Sequence, residues 1–161
     1  MGLKINNPWN LKCYDLSNPW RGTIGYDDAG HVIFEHAVFA SRAVCRDLAQ
    51  KYAHSKRTIR QIMTAYSPAN DALNDPDSAA VFICEQMNQR SHSHRYDPDA
   101  DCGLFGDKGR PTCIHTLRNF LEILSVQESG WDEAMRVDPN AIMAGIHDYM
   151  EDFCHAEKNK F

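Results

Sequence analysis

The sequence predicts a mainly α (α+β) fold, with about five helices and a short N-terminal β hairpin. Two observations predict it. From residue 37 onward apolar side chains recur at helical spacing, broken by strong capping signals. Before residue 37 the chain is punctuated by Asn, Pro and Gly, and its clearest alternating run, His31–Glu35, is short. A length of 161 residues suggests a single domain, 1–161, with a polar loop at about 88–111. Such a length buries roughly 70% of its unfolded surface, enough for an ordinary core.

Taken in order, Asn6-Asn7-Pro8-Trp9-Asn10 and Asn18-Pro19-Trp20-Arg21-Gly22 give turns and extended pieces rather than helix. Asp27-Asp28-Ala29-Gly30 reads as the turn of a hairpin over 23–35. Val38, Ala43, Val44, Leu48 and Tyr52 lie on one face of a helix over about 37–53. Ser55 is the expected cap of a second helix with Ile59, Ile62, Met63 and Tyr66 inside. Asp75-Pro76 opens a third helix carrying Val81, Phe82, Cys84 and Met87. Thr112 is the expected cap of a fourth, with Leu117, Phe120, Leu121 and Leu124 inward. Asp138-Pro139 opens a fifth, with Ile142, Ile146, Tyr149, Met150 and Phe153 inward, and the tail Glu157–Phe161 is expected to fray.

Composition removes several function classes. Lys+Arg is 17 against Asp+Glu 22, a formal charge of -5, which argues against a nucleic-acid partner because phosphate neutralisation needs clustered cations. No apolar run approaches the roughly 18 residues of a membrane span. Met1 to Trp9 lacks the apolar region of a Sec signal. The expectation is a protein made in the cytoplasm without a Sec signal; action outside it would need lysis, a virion or a dedicated secretion machine to carry it there.

Glu128 is the chemical candidate. The stripe Leu117, Phe120, Leu121, Leu124 continues by four to Glu128, which puts a carboxylate toward the core side at a helix end. Partial burial and the negative partial charge of a helix C-terminus both favour the protonated carboxyl. Ser129-Gly130 stops the helix and Trp131 offers an aromatic wall. A protonated carboxyl beside an aromatic cleft is what a glycosidic general acid requires. The plain alternative is a solvated rim glutamate. Glu35 is the candidate second carboxylate, with an exposed strand end as its alternative.

The polar loop concentrates His92, His94, Asp97, Asp99, Asp101, Cys102, Asp107, Cys113 and His115. Asp97, Asp99 and Asp101 copy the alternation of a calcium loop, but Cys102 stands where its glycine belongs and Lys108 where its glutamate belongs. Cys102, Cys113, His115, His92 and His94 lack zinc spacing. The first reading is therefore no metal and no cofactor, in a solvated loop where Cys102 and Cys113 either close a disulfide or stay free thiols; weak calcium binding by Asp97, Asp99 and Asp101 is the alternative. A Cys113/His115 nucleophile pair is a further alternative, although their spacing faces them apart on a helix.

Asn6-Asn7-Pro8-Trp9-Asn10-Leu11-Lys12, Trp20-Arg21-Gly22, Phe34, Ser41-Arg42-Ala43 and Leu48 together resemble the NNPGN-[IL]-[RK] family of phage and prophage virion proteins, which have lytic-transglycosylase-like character. Thr58-Ile59-Arg60-Gln61-Ile62 and Tyr66-Ser67-Pro68-Ala69-Asn70-Asp71 resemble later family segments, and Leu121 to Gly130 its closing helix. The chain departs from the family pattern at Trp9 and Ser41, where glycines are usual, and at Ala69. Gln127-Glu128-Ser129-Gly130-Trp131 is also similar to the catalytic helix end of lysozyme-type glycosidases. In many of those an asparagine-rich stretch follows the glutamate. Here it precedes it, which suggests a circularly permuted lysozyme-like domain.

The resemblance implies a peptidoglycan-degrading lytic transglycosylase or muramidase, a cell-wall-degrading phage virion protein or antibacterial effector. It would cleave the MurNAc–GlcNAc β-1,4 bond with Glu128 as acid/base. Asn6, Asn7 and Asn10 would shape a loop or bind sugar, and Trp9, Trp20, Tyr66 and Trp131 would line a glycan groove, the tryptophans having core anchoring as their alternative. Arg42 is expected in an internal ion pair. The implied partners are peptidoglycan, virion or secretion-system components and an immunity protein. The alternatives are a non-catalytic virion structural or wall-binding module and a cysteine-dependent peptidoglycan amidase or peptidase.

Overall fold

A computed structural model describes residues 6–71 and 73–158, with side chains as far as residue 153. Part of the expected fraying tail therefore lies outside the described residues, as do its side chains. The protein is mainly α with a small β part: strands β1 (Thr23–Tyr26) and β2 (Val32–Phe34), then helices α1 (Ala37–Ala53), α2 (Ile59–Tyr66), α3 (Pro76–Arg90), α4 (Ile114–Ala134) and α5 (Pro139–Lys158). Among the described residues no helix is long and apolar enough to cross a membrane.

The chain forms two compact units. One comprises Met1–Arg46 with Leu124–Phe161, the other Asp47–Ile123, so the boundaries fall inside α1 and α4.

In the first unit β1 and β2 are antiparallel, with Thr23 opposite Phe34 and Tyr26 opposite Val32. The turn closes when Gly30 N–H donates to Asp27 O at 3.0 Å. Asp27 stiffens it by accepting from the backbone of Ala29 and His31 and meeting His31 Nδ1 at 2.9 Å. The other edge of β2 is paired by the opening loop. Val32 N–H donates to Leu11 O at 2.9 Å, and the amides of Asn7 and Asn6 donate to Val32 O and Phe34 O. Two side chains thus stand in for a third strand. α1 and α5 approach closely: a Cβ on Gly145 would lie 2.3 Å from Ser41 Cβ, and Ser41 Oγ donates to Ile142 O. A small residue at position 41 is what this crossing requires. Buried Arg42 reaches Asp148 at 3.3 Å and Asp152 at 2.8 Å, an internal ion-pair cluster. Asp138 caps α5, accepting from Asn140 N–H at 2.9 Å.

The second unit corrects two boundaries. Ser55 does not cap α2; it ends α1 in a left-handed conformation with φ 66°. Ser55 N–H donates to Tyr52 O and Lys56 N–H to Lys51 O, the paired bonds of a Schellman stop. The cap of α2 is Thr58, in a capping box with Gln61. Likewise α4 starts after Cys113 rather than Thr112, Leu117 N–H donating to Cys113 O. α3 starts as expected, with Asp75 capping it and Pro76 in its first turn. It buries Ala80, Ile83, Cys84 and Met87, while Val81 is exposed.

The segment after α3 is not a merely solvated loop. Tyr96, Cys102, Leu104 and Phe105 are buried. The segment is held by bridges Thr58–Asp101 and Phe105–Pro111, and by Asn88, whose amide donates to Tyr96 O and whose carbonyl accepts from Tyr96 N–H. Four apolar residues scattered in a polar stretch carry no period, which hides their burial from the sequence.

Candidate functional site

The first unit joins the two ends of the sequence pattern. Asn10 Nδ2 donates to the Glu128 carbonyl at 2.7 Å, and Ser129 Oγ donates to the Pro8 carbonyl at 2.6 Å. The α4 turn that carries Glu128 and Ser129 therefore sits against the asparagine loop. Gly130, with φ 80° and ψ 165°, breaks that run where the sequence indicates. Asn10 is itself left-handed at φ 50°, a conformation that asparagine tolerates better than most residues. Its N–H closes a turn on Asn7 O at 3.1 Å.

Glu128 is half-buried, with its backbone oxygen tied to Asn10. Trp131 follows the break and is 52% exposed. Glu35 is exposed at the end of β2; its N–H donates to Gly22 O at 2.9 Å and its carbonyl accepts from Asn6 at 3.2 Å. Both candidate carboxylates are thus carried on main-chain segments bonded to the same loop, Glu35 through Asn6 and Glu128 through Asn10.

Trp9 and Asn7 take the structural alternatives, core anchoring and loop shaping. Trp9 has no exposed surface, so its indole offers no face to a sugar and it anchors the core. Asn7 is equally buried. Its amide donates to Leu11 O and Val32 O, and its Oδ1 accepts from Leu11 N–H. Every strong group of that side chain is engaged by backbone, which leaves the loop-shaping role. Asn6 is half-buried, and its Nδ2 donates to Phe34 O and Glu35 O, each at 3.2 Å. Trp20 is half-buried and its Nε1 donates to Lys12 O at 3.3 Å, leaving part of the ring exposed. Tyr66 belongs to the second unit, where Lys51 Nζ lies 5.4 Å from its ring centre.

The acidic and thiol residues of the second unit have internal duties. Asp99 pairs with Arg60 at 2.7 Å, and the guanidinium holds its carboxyl below the usual range. Asp101 accepts from Tyr52 O–H and from Gly103 N–H, which likewise lowers its pKa. Burial, aided by Asp101, pushes the Tyr52 hydroxyl up to about 12. These carboxylates are turned to Arg60 and Tyr52 instead of converging as calcium ligands. Among the described residues no group of three or more His, Cys, Asp and Glu side chains is placed to hold a metal ion.

Of the two alternatives for the loop cysteines, the structure has the free thiols at both Cys102 and Cys113. Burial raises Cys102 to about 11. Exposed Cys113 moves the other way, lowered by hydrogen bonds from the Thr116 hydroxyl and backbone. A thiolate at a helix start is favoured there.

Sequence reasoning missed the Asp27–His31 pair and the Ser129–Pro8 bond. The Asp-x-x-Gly turn followed by His was a legible signal for the first; a bond between residues 121 positions apart has none. No protein-family model matches the chain, and no curated protein matches it.

Proposed function

We propose that the protein cleaves the glycan strands of peptidoglycan, as a lysozyme-like lytic transglycosylase or muramidase delivered by a phage or a secretion system. The observation that carries this reading is the pair of bonds, Asn10 to Glu128 and Ser129 to Pro8, joining the asparagine loop to the glutamate-bearing helix end. These segments, opposite in sequence, are the two that a permuted lysozyme-like site needs side by side. An exposed Trp131 three residues after Glu128 supports it, because an aromatic face suits the C–H face of a sugar.

In the proposed reaction the Glu128 carboxyl gives its proton to the glycosidic oxygen as the bond to the anomeric carbon breaks. The resulting carboxylate then takes the proton of the attacking nucleophile. If that nucleophile is the sugar's own 6-hydroxyl, the product is a 1,6-anhydro sugar; if it is water, a reducing end. Glu35 is the second carboxylate of the hydrolytic version.

The test is digestion of purified sacculi with products read by mass spectrometry. Anhydro-muropeptides identify a transglycosylase and reducing ends a hydrolase. Absence of product, or full activity in Glu128→Gln, overturns the proposal. The second reading, a wall-binding module without turnover, is favoured by the commitment of Asn6, Asn7 and Trp9 to structure. Sacculus pull-down with no released product selects it.

A further inference from the structure

We infer that Asn10 is a positioning residue that sets the direction of Glu128, an inference that rests on the glycosidase reading. The last carbonyls of a helix lack intrahelical donors and are satisfied by caps, side chains or water. The Glu128 carbonyl lies in the last turn before the break at Gly130 and accepts from Asn10 Nδ2 at 2.7 Å, between residues 118 positions apart. That bond acts on the peptide unit bearing the glutamate side chain. It holds the main chain from which the carboxyl projects.

Asn10 is itself fixed at both ends. Its backbone is left-handed, at φ 50°, and closes a turn on Asn7. Asn7 is locked by three buried hydrogen bonds to Leu11 and Val32. The donor is therefore preorganised by β2 and the opening loop, not by the helix it serves. Ser129 makes the natural comparison. Its hydroxyl ties the same two segments together at Pro8, at 2.6 Å, but leaves the Glu128 carbonyl alone. If gluing the loop to the helix were the whole role, the two bonds would be interchangeable.

The experiment compares Asn10→Gly, Asn10→Asp and Ser129→Ala for kcat and KM on sacculi, with thermal melting as the stability control and Glu128→Gln alongside. Glycine tolerates the left-handed backbone and removes the amide; aspartate keeps the shape, loses the donor and sets a carboxylate oxygen against the Glu128 carbonyl. The expected result is a kcat loss of about 10- to 100-fold in both Asn10 variants, since misplacement of a reacting group by about 1 Å costs on the order of a hundredfold. KM is expected to hold within about twofold, and Ser129→Ala to keep kcat within about threefold, by the same argument. Wild-type kcat in Asn10→Gly, or equal losses in Asn10→Gly and Ser129→Ala, overturns this inference while leaving the glycosidase reading in place. No turnover by the wild type, or full turnover by Glu128→Gln, overturns both.

Discussion

Replacing Asn7 by alanine removes three hydrogen bonds at a position with no solvent exposure: donations to Leu11 O at 2.9 Å and Val32 O at 3.0 Å, and acceptance from Leu11 N–H at 3.0 Å. Their loss is unequal in consequence. Leu11 O keeps a partner, because Val32 N–H donates to it. Leu11 N–H and Val32 O are left facing an alanine methyl. A buried unsatisfied polar group costs about 1–3 kcal/mol, so the two together predict a loss of about 2–6 kcal/mol. For a chain of this size that is a fall in melting temperature of about 4–24 °C, at roughly 2–4 °C per kcal/mol. Urea denaturation followed by tryptophan fluorescence reports it directly, because Trp9 is buried two residues away. Asn7→Asp sharpens the test. Aspartate retains an acceptor for Leu11 N–H but turns a second carboxylate oxygen toward two carbonyls. It should be worse than alanine at neutral pH and recover as acid protonates it into a donor. An alanine variant within about 1 kcal/mol of wild type, the worth of one ordinary hydrogen bond, would refute the strand-substitute role given to this side chain.

Gly145→Ala would place a Cβ 2.3 Å from Ser41 Cβ and 2.7 Å from the Val38 carbonyl; overpacking of this kind costs about 1–3 kcal/mol, read as a lowered urea midpoint. Exposed Cys113 should alkylate with iodoacetamide before Cys45, Cys84 and Cys102, which are buried. Its pH–rate midpoint should lie below an ordinary thiol's, and Thr116→Ala should move it up by removing the hydroxyl donor. Asp27 feels burial, which raises its pKa, but the hydrogen bonds from His31 and Ala29 outweigh it and hold the carboxyl below the usual value. A depressed folded-state pKa stabilises above the unfolded value and loses that contribution as pH falls through the folded one. Asp27→Asn should therefore flatten the loss of stability below about pH 4, measured by urea titration across that range.

What was legible in the sequence follows from whether the cause is local. Asp75-Pro76, Asp138-Pro139 and Ser129-Gly130 mark helix ends through groups that act within one turn, and the helices begin or break there. Ser55 misled because serine serves both as an N-cap and, less often, as a left-handed stop; the Thr58-x-x-Gln61 box was the better signal. The opening asparagines leave two readings open in the sequence, loop shaping and sugar binding, for a different reason. An asparagine amide that binds sugar and one that caps a strand edge look identical in sequence, and the choice depends on β2 lying alongside, with Val32 25 positions from Asn7. Trp9 is decided the same way, by burial that no neighbouring residue announces. Long-range pairing consumed Asn6 and Asn7 as substitutes for a missing strand. Asn10, one residue past Trp9 in the same loop, was turned by its left-handed backbone toward the other end of the chain. Of these three asparagines, Asn10 is the one whose amide is shown meeting the Glu128 carbonyl.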